Sequence, residues 1–201
     1  MDRPCDGGGE VIHFAPLREP DDFDEKVRQP GAAWLARHPT GRPKGIWGLC
    51  KAQLAEGFRN LCGYSAMFEP VGTVDHYQSC DADRQRAYEW SNYRFASGWI
   101  NSSKQTADGR VLDPFQVEDG WFEILLPSLQ LVVTDAVPRE LKDIAEYTLT
   151  RLHLRDDERV IRQRREWYRM YQEEELTLEG LDKKAPLIAQ AIRRQPLAGI
   201  E

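Results

Sequence analysis

Residues 72–104 read GTVDHYQSCDADRQRAYEWSNYRFASGWINSSK. Gly72-Thr73-Val74 leading into Asp75-His76-Tyr77 predicts a short strand. The polar run SCDADRQRA that follows predicts a loop, and Tyr93-Arg94-Phe95-Ala96 alternates as a second strand. Asn101-Ser102-Ser103-Lys104 predicts the opening of a short helix, with Asn101 or Ser102 as its cap. The order is therefore strand, long loop, strand, helix, and the polar residues most suited to chemistry lie along it.

Those residues are Asp75, His76, Asn92 and Asn101. Hydrolysing a phosphodiester needs an activated water, stabilisation of charge in the transition state, and help for the leaving oxygen. A neutral histidine is a suitable base near pH 7, which makes His76 the candidate catalytic base. Magnesium often takes only one or two oxygen ligands from protein, and Asp75 with the amide oxygen of Asn101 meets that demand. Neighbours on a strand point to opposite faces. Asp75 and His76 can therefore flank one phosphate only if the strand ends or bulges there. Asn92 either bonds the backbone across the loop or holds the imidazole. Lys104, one turn after Asn101, is the candidate phosphate contact. The plainer alternative is that His76 packs at a strand end while the two asparagines cap turns.

VDHY, WSNYRFAS and INSSK, in this order, resemble the HNH (ββα-metal) endonuclease motif, and the spacing from Asn92 to Asn101 and on to Lys104 matches it. The wider context, Tyr88–Arg94 and then Leu112–Phe115, is similar to small HNH nucleases of bacterial anti-phage defence systems of the Septu and retron type. The resemblance covers about residues 58–126. It implies His76 as general base, Asp75 and Asn101 as ligands of a magnesium or manganese ion, and Asn92 as the residue that fixes the loop and the histidine. It implies Lys104 as a phosphate or structural contact; Asp113 lies in the similar Leu112–Phe115 stretch and itself reads as a turn residue before Pro114. It also implies DNA as substrate, with RNA as the alternative, and a partner protein such as an ATPase subunit.

Two departures are visible. Many such proteins hold a structural zinc with two CxxC pairs, and here those positions read Cys62-Gly-Tyr-Ser65 and Ser97-Gly-Trp-Ile100. That argues against zinc and for packing by Tyr64, Trp90, Phe95 and Trp99 in its place. The segment after the Asp-His pair reads Tyr77-Gln78-Ser79-Cys80, so a basic phosphate contact expected there is missing. These losses favour a second reading, a catalytically weak or inactive HNH-fold subunit that serves as an interaction module.

Outward from this stretch, the expected fold class is α+β, with the ββα core over 46–136, an extended N-terminal arm over 1–45 and a helical C-terminal region over 137–201. The arm is rich in Pro, Gly and charge, with a short helix near Ala32–Arg37 stopped by Pro39. Residues 46–61 carry a helical apolar stripe. GWFEILLPSLQLVV predicts two strands around Pro127-Ser128. Pro138 suits the first turn of a helix, which runs to about Gln172 with a break near Arg155–Asp157. A last helix is expected over Pro186–Gln195. Trp90, Trp99 and Trp121 read as core residues. The basic run Arg159–Arg165 reads either as a solvated face or as a DNA-backbone or partner face.

The 201 residues carry 27 Lys and Arg against 33 Asp and Glu, a net charge of -6. That argues against a protein that holds DNA by charge alone. No apolar run approaches the roughly 20 residues of a membrane span, and the N-terminus lacks the pattern of a secretory signal. The expected location is cytoplasmic, where Cys5, Cys50, Cys62 and Cys80 remain free thiols.

Overall fold

The computed structural model describes residues 13–195. Val11, Ile12 and Cys5 lie outside them. Among the described residues, four strands form two separate antiparallel hairpins, and seven α-helices accompany them. The protein is of mixed α+β composition.

The first hairpin pairs β1 (Thr73–His76) with β2 (Tyr93–Ala96), in the register Val74↔Phe95, Asp75↔Arg94 and His76↔Tyr93. α3 (Gly98–Lys104) follows β2 after a single residue. The helix opens at Ser97 rather than at the expected Asn101 or Ser102, and Ser97 makes no side-chain cap. Asn101 thus sits mid-helix. The second hairpin, β3 (Phe122–Leu125) with β4 (Gln130–Val133), flanks Pro127-Ser128 as the sequence predicts.

Side-chain alternation gives the first hairpin two unlike faces. Val74, Tyr93 and Phe95 enter a cluster with Phe14, Phe23, Val27, Leu35, Leu54, Phe58, Tyr88 and Trp90. Ala96, on the other face, joins Cys62, Ile100, Ala107, Val111 and the apolar residues of the C-terminal helices. Burying each large aliphatic or aromatic side chain is worth about 1.5–3 kcal/mol. The strands are thus sandwiched between an N-terminal and a C-terminal layer.

This corrects the expectation of an extended arm. A π-helical turn over Asp24–Arg28 leads without a break into α1 (Gln29–Arg37). Phe23, Val27 and Leu35 are buried, and the ring of Tyr88 fills the space a side chain at Gly31 would need. The apolar anchors are sparse but fall on one helical face, and the hairpin's aromatic side covers them. Residues 46–61 also divide, into a 3-10 turn over Ile46–Cys50 and α2 (Lys51–Gly57). Arg59 and Asn60, both at a φ of 56°, end the helix.

In the C-terminal third, a 3-10 turn over Arg139–Leu141 opens α4 (Lys142–Arg151). The predicted break precedes α5 (Glu158–Gln172), whose N-terminus Asp157 caps. α6 (Leu178–Lys184) was not expected, and α7 (Pro186–Arg193) lies where the last helix was. Arg164 of α5 is buried and donates to the carbonyls of Leu129, Leu154 and Arg155, which ties α5 to the second hairpin and to the end of α4. Trp90 and Trp121 are buried, as expected of core residues, whereas Trp99 is only half-buried. No helix among the described residues is long and apolar enough to cross a membrane.

Candidate active site

His76 ends β1 on the face turned to the N-terminal layer. Trp47 meets its ring edge-on with centroids 4.6 Å apart, and Tyr93 does so at 5.1 Å. Its Nε2 lies 2.9 Å from the carbonyl oxygen of Ala87. A carbonyl only accepts, so Nε2 carries the proton and Nδ1 keeps a lone pair. Nδ1 has no hydrogen-bond partner among the described residues, and His76 as a whole is half-buried. Burial pushes the imidazole below its ordinary 6.5, and the nearby charges of Lys104 and Arg42 add to that. The bond to Ala87 and the charge of Asp75 oppose the shift without reversing it. The histidine is neutral at pH 7.

Asn92 is 2% exposed and sits at the far end of the loop from His76. Its Oδ1 accepts from the N–H of Gln78 at 2.8 Å, and its Nδ2 donates to the carbonyls of Gln78 and Arg86 at 2.9 and 3.1 Å. Of the two roles open in the sequence, bonding across the loop is the one seen. Asn92 does not touch the imidazole. It holds Arg86, next to the carbonyl that orients His76, and is therefore a positioning residue.

Asp75 points to the other face of β1. Its Oδ2 accepts from the Tyr64 hydroxyl at 2.6 Å and its Oδ1 from the Lys104 ammonium at 3.2 Å. Lys104 also donates to the carbonyl of His76 at 2.7 Å. Asp75 is 1% exposed and Lys104 0%. Lys104 is therefore a structural contact here rather than a phosphate contact, because no surface reaches it. The half-buried Asn101 directs Nδ2 toward the carbonyl of Val74 at 3.5 Å, near the limit of a hydrogen bond.

Asp75 and Asn101 are the oxygen donors that a hard divalent cation takes. Their arrangement does not fit one. Both carboxylate oxygens of Asp75 are engaged, a cation already stands beside it, and no solvent reaches it to complete an ion's coordination shell. Among the described residues, no group of three or more His, Cys, Asp or Glu side chains is placed to hold a metal.

Two features eluded the sequence reading. Arg94, opposite Asp75, makes a two-pronged pair with Asp113 at 2.6 Å through both Nε and Nη2, and its guanidinium lies 3.9 Å over the Phe115 ring. Asp113 also caps the 3-10 turn over Pro114–Gln116, which is the turn role expected of it. The second feature is a contact between Cys62 and Ser97. Cys62 and Ser97 are brought together, with Ser97 N and Oγ 3.4 and 3.6 Å from Cys62 Sγ, while Ser65 and Ile100 are buried nearby in sequence. Cys50, Cys62 and Cys80 are free thiols. A cavity of about 540 Å³ opens beside Arg94 and Asp113, walled by Leu17, Glu89 and Trp90, and His76 does not line it.

No protein-family model matches the chain. No curated protein matches it either.

Proposed function

We propose that the chain is an HNH-type endonuclease that hydrolyses DNA phosphodiester bonds with magnesium or manganese, as the nuclease subunit of a bacterial anti-phage defence complex in the cytoplasm. The observation that carries the hydrolytic part is His76. Its Nε2 is pinned to a backbone carbonyl, its Nδ1 has no partner among the described residues, and burial keeps it neutral. In the step this supports, Nδ1 takes a proton from a water. The freed electron pair of that water forms the new bond to phosphorus, and a bridging P–O bond breaks, its electron pair leaving on the sugar oxygen, which takes a proton from solvent water. General base catalysis of this kind contributes about 10²–10⁴-fold. The strand-loop-strand-helix order and the Cys62–Ser97 contact, at positions where related proteins hold zinc, further support the family reading. The defence complex and its ATPase partner rest on the resemblance alone.

The metal is the part that Asp75 does not accommodate as arranged, and no step is assigned to it. That closure favours the second reading, an HNH-fold subunit that is weak or inactive and serves as an interaction module. Incubating the purified chain with supercoiled plasmid separates the two. The first reading expects nicking with magnesium or manganese, suppressed by a chelator and by His76→Ala. Absence of nicking under every metal condition, alone and with an operon partner, would establish the second. A chain that cuts RNA and spares DNA would overturn the substrate.

A further inference from the structure

The charge of this chain is unevenly spread. Residues 37–55 contain Arg37, Arg42, Lys44 and Lys51 and no acidic residue, in a chain whose net charge is -6. The structure lays this segment along the turn that orients His76. The Arg84 guanidinium donates to the carbonyls of Pro39 and His38 at 2.6 and 2.9 Å. The Tyr88 hydroxyl donates to the carbonyl of Lys44 at 2.9 Å. Trp47 then closes on the His76 ring. Three attachments thus hold the segment against Arg84–Tyr88, which adds Arg84 and Arg86 to the same surface.

Arg37, Arg42, Lys44 and Lys51 are exposed, and Arg84 and Arg86 are half-buried. None of the six forms an ion pair among the described residues, whereas Arg28, Arg94, Arg159 and Arg169 all do. The acids of the adjoining loop, Asp81 and Asp83, are exposed, and Asp83 is occupied in capping Gln85 N. The six cations lie on the segment and on the turn it is bonded to, the turn whose Ala87 carbonyl orients His76. Arg42 is close enough for its charge to help keep the imidazole neutral. Clustered, unpaired cations on a fixed backbone are what phosphate neutralisation requires.

We propose that Arg37, Arg42, Lys44, Lys51, Arg84 and Arg86 form the track that holds the phosphate backbone of duplex DNA across His76. The segment before the hairpin thereby replaces the basic contact missing after Asp75-His76. The proposal rests on reading His76 as a phosphodiesterase base, but it concerns binding and is tested without cleavage.

The test measures fluorescence anisotropy of a labelled 20-base-pair duplex with the full-length chain, in chelator, from 50 to 200 mM salt. Arg42→Ala/Lys44→Ala/Lys51→Ala spares Arg84, whose carbonyl bonds hold the segment. It should weaken binding at least tenfold at 50 mM salt and flatten log K against log salt by about 2.7, at about 0.9 per phosphate contact. Arg162→Ala/Arg165→Ala, on the basic run of α5, should bind as the parent does. Equal binding by the parent and the triple variant overturns the track, as does loss confined to the α5 variant or a preference for single-stranded RNA over the duplex. A parent that binds through the track but never cuts leaves the track standing and removes the hydrolytic reading. A parent that cuts as well after the triple substitution does the reverse.

Discussion

Replacing Lys104 by methionine keeps the length of the side chain and removes its ammonium. The structure gives the consequence in parts. Lys104 is fully buried and its Nζ donates to Asp75 Oδ1 and to the carbonyl of His76. Without it, Asp75 remains buried with only the Tyr64 hydroxyl as partner. Removing one member of a buried ion pair costs about 3–5 kcal/mol, because the other charge is stranded. Removing both costs much less, since the desolvation penalty of each ion disappears with it. Lys104→Met should therefore lower the urea unfolding free energy by about 3–5 kcal/mol, seen as a shift of the midpoint at constant slope. Adding Asp75→Asn should restore about 2 kcal/mol or more of that loss. Tyr64→Phe should cost about 1.5–3 kcal/mol, the range of a hydrogen bond to a charged group. A cost of Lys104→Met under about 1 kcal/mol, or two substitutions that add without coupling, would refute a buried ion pair here. In either case Lys104 would be reaching solvent, and its expected role as a phosphate contact would return.

Three other perturbations follow from the same structure. Asn92→Ala leaves the Gln78 N–H and two partly buried carbonyls without their partner, which should cost about 3 kcal/mol, the low end of roughly 1–3 for each unmet group, and should speed hydrogen exchange at Gln78. For His76 the folded value lies below the ordinary 6.5, so the unfolded chain binds more protons and stability falls with acid. The loss should begin as pH drops through about 6.5 and level off below the folded value, and it should vanish in His76→Gln when unfolding is followed from pH 8 to pH 5. Arg94→Lys cannot reproduce the two-pronged bond to Asp113 and should destabilise by about 2 kcal/mol or more, on the scale of lost charged hydrogen bonds; equal stability would remove that pair from the account.

The hairpin was legible because alternation and turn chemistry are local. Thr73–His76 and Tyr93–Ala96 form strands where the pattern put them, and the break before α5 lies at Arg155–Asp157. The helix near Ala32–Arg37 was legible within α1, but its extension back to Asp24 and its burial were not, because these depend on packing against Tyr88, Trp90 and Tyr93, far away in sequence. The site divides the same way. That Asn92 would tie down the loop follows from the chemistry of an amide between two backbone stretches. The choice between an open Asp75 and one closed by Lys104 and Tyr64 depends on where α3 lies against β1, which no spacing encodes. The Arg94–Asp113 pair spans 19 residues and left no local trace. The same holds for the basic segment, whose relevance depends on its being stitched to the turn beside His76.

The central claim is that His76 takes the proton from the attacking water. Its most direct measurement is the strand-scission rate of the parent and of His76→Gln, in excess over duplex DNA, with magnesium or manganese at pH 8. Glutamine can still donate toward the Ala87 carbonyl but offers no base. The account predicts cutting by the parent and a rate at least about 10²-fold lower in the variant, with unchanged DNA affinity and a retained fold. Equal rates in the two proteins would contradict it.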